Sequence, residues 1–410
     1  MSTSRPSNKR RGFGDEAPDS SEFFLQINHV LTTADFNHLV SVALEARRSS
    51  ETLSDIVTCV IDPSLFSYGF HHLVVEVAFS DDVFWIARIQ HKPLSAALNE
   101  AETETTDFLS EVATMDIVRT QTSIPVPGHQ SHASREFVYP FVLMEYLEGH
   151  TLPSSIANSV PREKLPKVAE QIAKVLFDLE NLTFDKLGKV WCGQDGQQRP
   201  EIIATAARED ETDALTSLDW FLNNRREINK QALEQHPNDP EWRAACIVLN
   251  TALQDAVIKN RLHGPFPLCH VDFHYGNLLL DDDYKLRGII DWDGAQAVPL
   301  ERLACSPEFM TYPGQSMEYN EPIIYFRNLV RDFLKKLESS AISGTGREAP
   351  KTMLSAVIGT PVAEIVHRAT YITWRRTIFD AKYVSKFMWG ESISWADIVE
   401  KYGRNELEKG

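Results

Sequence analysis

The chain has 410 residues and a mass of 46.5 kDa, with 43% hydrophobic and 24% charged residues, a composition outside those of collagen, coiled coil and wholesale disorder. Its 41 Lys and Arg stand against 58 Asp and Glu, a net charge of −17 that argues against a nucleic-acid partner and against adsorption to an anionic membrane. At about 150 residues per domain, this length suits two or three domains or one large bilobed unit. Cys59, Cys192, Cys246, Cys269 and Cys305 are odd in number, widely spaced and free of any C-x-x-C, so they read as reduced thiols of a cytoplasmic protein. No apolar run reaches the roughly 18 residues of a membrane span, and Met1 to Ser21 lacks the apolar core of a secretory signal.

Residues 1–22 are rich in Ser, Pro, Gly and charge and read as a disordered tail; Lys9-Arg10-Arg11 within it reads as a solvated cluster rather than a nuclear address. Thr32 or Thr33 then resembles the N-cap of a helix through Phe36, Leu39, Val40, Ala43 and Ala46. Residues 70–79 and 83–89 are β-rich and flank the turn chemistry of Ser80-Asp81-Asp82, which predicts a hairpin. The pattern turns helical over 96–118, is broken by Ile124-Pro125-Val126-Pro127-Gly128, and returns to strand over 137–146. Leu147-Glu148-Gly149-His150 reads as a hinge. Beyond it helices are expected from Leu165 to Leu179, Trp220 to about Gln235, Trp242 to about Leu262, Glu321 to Leu337 and Val362 to Ala381. Short strands interrupt them over 268–292. The fold class is therefore α+β, with a small β-rich lobe at 23–146 and a large helical lobe at 147–410.

The chemistry concentrates in Cys269-His270-Val271-Asp272-Phe273-His274-Tyr275-Gly276-Asn277, followed by Gly288-Ile289-Ile290-Asp291-Trp292-Asp293. A hairpin through Asp281-Asp282-Asp283 would return Asp291 beside Asn277. The spacing His270-x-Asp272-x-x-x-x-Asn277, with a later Asp291, is that of a phosphoryl-transfer loop. Mg²⁺ is a hard ion that takes oxygen ligands, which Asp291 and the Asn277 amide can supply, and Asp272 can accept the proton of an incoming hydroxyl. A Zn²⁺ site built from His270, Asp272 and His274 would leave Asn277 and Asp291 without a role.

H-x-D-x-H-x-x-N followed by I-I-D-W resembles the aminoglycoside phosphotransferase and choline-kinase-like family, of protein-kinase-like fold. Trp85-Ile86-Ala87-Arg88-Ile89 and Ser110-Glu111-Val112-Ala113-Thr114 are similar to its fungal members. The resemblance runs over about residues 55–310. It implies an ATP- and Mg²⁺-dependent phosphotransferase acting on a small-molecule hydroxyl. Asp272 would be the base, His270 and His274 its loop supports, and Asn277 and Asp291 the metal ligands. Glu145, Tyr146 and Leu147 would face adenine. Arg88 would stand where the family has a nucleotide-binding lysine, paired with Glu111, which edges the inward helical face of Phe108, Val112 and Met115. The phosphate loop, Ser67 to His72, holds one glycine, so the alternative reading is a catalytically weak pseudokinase. The acceptor is unnamed by the sequence; the acidic charge would suit a cation, and a natural-product alcohol is the other candidate. Trp374, Trp389 and Trp395 read as packing residues rather than an acceptor platform.

Overall fold

The computed structural model describes residues 22–50, 57–69, 71–91, 98–133, 137–193, 198–203, 216–311, 317–345, 352–370, 373–390 and 392–404. The expected tail lies outside these residues up to Ser21, as does Phe70 of the phosphate loop. The described chain is α+β, with its long strands early and its long helices late. It divides into two compact units. One comprises 1–151, 190–201 and 278–294; the other comprises 152–189, 202–277 and 295–410.

The first unit opens with α1 (Glu22–Thr33) and α2 (Phe36–Ser50). Here the sequence reading needs correction. Thr32 and Thr33 end a helix rather than start one, their hydroxyls bonding back to the Asn28 and His29 carbonyls at 2.7–3.1 Å. Asp35 caps α2 instead, accepting from the backbone N–H groups of Asn37 and His38. Threonine serves either end of a helix, and only the carbonyl its hydroxyl finds decides which.

Strands β1 (Cys59–Val60), β2 (Phe66–Tyr68), β3 (His72–Phe79) and β4 (Phe84–Gln90) precede α3 (Leu98–Gln121), and β5 (His129–Ala133) and β6 (Phe141–Glu145) follow it. The sheet order is β1-β3-β4-β6-β5, with β2 also on β3, all antiparallel. The β3–β4 hairpin forms where the sequence predicts it, with Asp82 at φ 59° in the turn. The period of two along β4 buries Trp85, Ala87 and Ile89 in a core shared with Ile27, Leu39, Leu73, Val75, Phe137 and Phe141. Arg88 therefore falls on the opposite, half-buried face, between its register partners Val74 and Val142. A separate hairpin, Leu278–Leu280 with Leu286–Ile289, belongs to the same unit; the Ile289 N–H donates to the Pro125 carbonyl, in the loop that ends α3.

In the second unit the helix Leu165–Asn181 buries Leu165, Val168, Ile172, Val175, Leu176 and Leu179, the expected stripe. Helices Ser217–Gln235 and Pro240–Ala256 are separated where Asp239 caps and Pro240 opens the second; that helix stops at Ala256, short of the expected Leu262. The single helix expected over 362–381 is two, Pro361–Ala369 and Thr377–Trp389. At the break a buried ion pair, Arg368 with Asp380 at 2.9 Å, joins the two helices, and Arg225 donates to Thr377 Oγ1 and to the Ala369 carbonyl. Trp242 stacks on His236 with ring centroids 4.2 Å apart and meets Trp374, while Trp395 donates Nε1–H to Glu241. Trp389 and Trp395 pack against the core that holds Leu249, Val366 and Val384. These tryptophans pack, as the sequence reading has it.

Candidate active site

Within the first unit Arg88 is the centre of charge. Its Nη1 donates to Glu111 Oε1 and its Nη2 to Asp291 Oδ1. The Glu111 side chain is 3% exposed and that of Arg88 11%, whereas Asp291 is 41% exposed. Burial works against the Arg88 charge, but Glu111, Asp291 and Asp293 outweigh it and hold the guanidinium firmly protonated. The Glu111 carboxyl is pushed up to about 7, first by burial and then by Asp293 and Asp291, against the pull of Arg88. One guanidinium thus bonds two carboxylates and feels the charge of a third. The sequence reading pairs Arg88 with Glu111 and expects Arg88 and Asp291 within reach of one nucleotide; their direct ion pair, across 203 positions, goes beyond it. Burial, then Arg88, His91 and His71, keep neighbouring His72 neutral, well below the usual histidine range.

Local structure fixes Asp291. Trp292 is wholly buried and donates its Nε1–H to the Ile289 carbonyl at 3.0 Å, closing a tight turn after the hairpin. Within that turn Asp291 has φ 65°, a left-handed conformation that costs a non-glycine residue about 1 kcal/mol.

Within the second unit the loop after Phe266–Cys269 holds Asp272, His274 and Asn277 together. Asn277 is buried, and its Nδ2 donates to the Asp272 carbonyl at 2.9 Å and to Asp272 Oδ2 at 3.4 Å. The amide oxygen takes neither bond. The Gly276 N–H donates to His274 Nδ1 at 2.9 Å, so a neutral His274 carries its proton on Nε2, which lies 3.5 Å from Asp272 Oδ2. A Cβ on Gly276 would sit 2.6 Å from His274 Cε1, which is why glycine stands there. The His274 contact, chiefly, holds the Asp272 carboxyl below its ordinary range despite partial burial. His270 is buried against Phe273, and its carbonyl accepts from Ser306 Oγ at 2.6 Å, which braces the loop from behind.

At the expected hinge, Glu145 N–H donates to the Gly128 carbonyl and Tyr146 N–H to the Phe84 carbonyl. The Glu145 carboxylate accepts from Arg119 at 3.0 Å and from the Gly128 N–H at 3.2 Å. Leu147 lies against Gly288, where an added Cβ would come 2.6 Å from Leu147 Cδ1. Arg88 and Glu111 are thus brought together with Asp291, while Glu145, Tyr146 and Leu147 form their own backbone junction.

A sequence model described as the phosphotransferase enzyme family matches residues 64–301. The chain belongs to that family. With this membership, the β-rich first part and the helical remainder are those of a protein-kinase-like fold. Curated relatives include proteins named "Altered inheritance of mitochondria protein 9, mitochondrial". The one from Meyerozyma guilliermondii is 26% identical over 47% of this chain and 33% of its own length. The one from Clavispora lusitaniae is 25% identical over 48% of this chain and 34% of its own. The chain thus spans about a third of the length of these relatives. Among solved structures, a thermostable mutant aminoglycoside phosphotransferase in ternary complex with ADP and hygromycin B aligns over 90% of this chain and 98% of its own, at 12% identity and TM-score 0.43. A macrolide 2′-phosphotransferase type I aligns over 92% and 99%, at 16% identity and TM-score 0.41.

The relatives' names overturn the cytoplasmic expectation, because each is called mitochondrial. That expectation rested on reduced cysteines, which report the absence of a disulfide framework and nothing finer.

Proposed function

We propose that the chain is an ATP- and Mg²⁺-dependent phosphotransferase acting on a hydroxyl of a small molecule, and that it works in mitochondria. Family membership supports phosphoryl transfer. The observation behind the metal is a charge imbalance around Arg88, where Glu111, Asp291 and Asp293 exceed the one guanidinium. Asp291 keeps a half-exposed carboxylate in a strained turn, and the Asn277 amide oxygen is left over from its bonds to Asp272. Hard oxygen donors with surplus negative charge suit Mg²⁺. Asn277 and Asp291 are the ligands in this reading. When bound, the ion would neutralise phosphate oxygens.

In this reading the residues divide the work. Asp272 stays ionised, and its carboxylate takes the acceptor proton at Oδ1 or Oδ2 while His274 Nε2–H and the Asn277 amide orient it. His270 steadies the loop that carries it. Arg88, fixed by Glu111, offers its charge to the α/β-phosphates, and the junction at Glu145 to Leu147 borders adenine. A weak or inactive kinase draws on one observation: both terminal nitrogens of Arg88 already face carboxylates, which compete with phosphate.

Transfer from ATP to a panel of amino alcohols, aminoglycosides and other alcohols tests both. Asp272→Asn should lower turnover by about 10²-fold or more while ATP affinity stays within a few-fold. Asp291→Asn, which tolerates the left-handed turn, should remove the Mg²⁺ dependence of ATP binding without unfolding the chain. Turnover unchanged in Asp272→Asn would favour the weak-kinase reading.

A further inference from the structure

A groove of about 420 Å³ lies between the helices Ser217–Gln235 and Pro240–Ala256. Its volume is within the roughly 300–1,000 Å³ of small-molecule sites. Arg226 and Lys230 line it one helical turn apart. Both are exposed, and neither makes an ion pair or hydrogen bond among the described residues. Like charges at this spacing repel and weaken a helix, so the pair has a cost that an anion would relieve. Among the described residues no carboxylate lines the groove, although the chain as a whole carries −17.

A third cation stands behind these two. Arg225 is 1% exposed and bonds Asn229 Oδ1 at 2.7 Å, the Ala369 carbonyl, Thr377 Oγ1 and the Cys246 thiol, with the Asp380 carboxylate also near enough to act on it. Asn229 lines the groove and relays the polarity outward, donating to Asn250 Oδ1 at 3.2 Å. The remaining walls are apolar, formed by Leu222, Leu233 and the aliphatic stems of Arg226 and Lys230.

We propose that this groove binds a small amphipathic anion, with a carboxylate or phosphate held between Arg226 and Lys230 and an apolar body against Leu222 and Leu233. None of these residues is in the set assigned to phosphoryl transfer, so the inference stands apart from that reading. The two cations supply the charge complement, and a guanidinium beside an ammonium accepts either oxyanion.

Titration calorimetry on the full chain tests it with octanoate, octyl phosphate, 1-octanol and inorganic phosphate as probes. The expected result is one site for octanoate or octyl phosphate with a Kd below about 1 mM, and binding at least tenfold weaker for the other two. Whichever of the two anions binds more tightly identifies the headgroup. In Arg226→Gln/Lys230→Gln the anion's affinity should fall at least tenfold. The ligand-free variant should unfold no earlier than the wild type, because a repulsion has been removed. Leu233→Asp should also lose binding. Octanol binding as tightly as octanoate would overturn the proposal, as would a variant that binds like the wild type or no binding at about 10 mM.

Discussion

Arg88 illustrates how one side chain can be read three ways. On β4 it is a strand residue facing away from the core; beside Glu111 it is half of a buried ion pair; beside Asp291 it restrains a metal-ligand candidate. Removing one member of a buried pair leaves the other charged, desolvated and alone. A double-mutant cycle with Arg88→Ala and Glu111→Ala, read by chemical denaturation, should therefore show coupling of about 1–3 kcal/mol. Arg88→Lys should keep part of the stability and part of the ATP affinity, because the charge survives and the two-pronged geometry does not. At the other loop, Gly276→Ala is expected to displace the His274 ring and release Asp272 from its main stabilising contact. The acid limb of a pH–rate profile should then move upward, while the unfolding midpoint changes little.

At the scale of elements, periodicity carries the reading. Alternation along β4, the near-continuous burial of the apolar run in β3 and the stripe on Leu165–Asn181 follow directly from which side chains water excludes, so all are legible in sequence. The strand β5, His129–Ala133, is missed because its polar residues carry no alternation of their own; the backbone of β6 recruits it. The division of the helix expected over 362–381 is missed for a related reason. The residues that decide it, Arg368, Asp380 and Arg225, form their network through partners up to 152 positions apart. Of the candidate site, the spacing from His270 to Asn277 is readable because it is local, and the Arg88–Asp291 contact is not. Asp380→Ala should cost about 3–5 kcal/mol, since it leaves Arg368, itself 1% exposed, without its carboxylate. Urea unfolding monitored by far-ultraviolet circular dichroism would measure it. Asp380→Asn, keeping an acceptor, should cost less.

At the scale of the molecule, a buried carboxyl pair links three segments of the second unit. Glu180 accepts from the Leu354 N–H at 2.9 Å, and Glu338 accepts from the Ser355 N–H and hydroxyl. Burial, then the neighbouring Glu338 charge, pushes the Glu180 carboxyl up to about 7, against a weaker pull from Arg261. A folded-state pKa above the unfolded value means the native state holds the proton more tightly. The associated stability is complete below the unfolded carboxyl range, near 4.5, and is lost as pH rises through about 7. Denaturation at pH 5.5 and pH 8 should show the chain less stable at the higher value, by on the order of 1–3 kcal/mol. In Glu180→Gln that difference should shrink.

The first unit is drawn from three separate stretches of chain, 1–151, 190–201 and 278–294. Synthesis is vectorial, so its six-stranded sheet has all of its residues by Glu145, long before Asp291 is made. Until then a nascent chain can bury Glu111 against Arg88 with no third member present. The carboxylate that adds a third charge to this ion pair is among the last pieces of the first unit to be made. Fragments ending before residue 278 should thus carry the sheet and its ion pair, and only translation through Asp293 makes the charge arrangement complete.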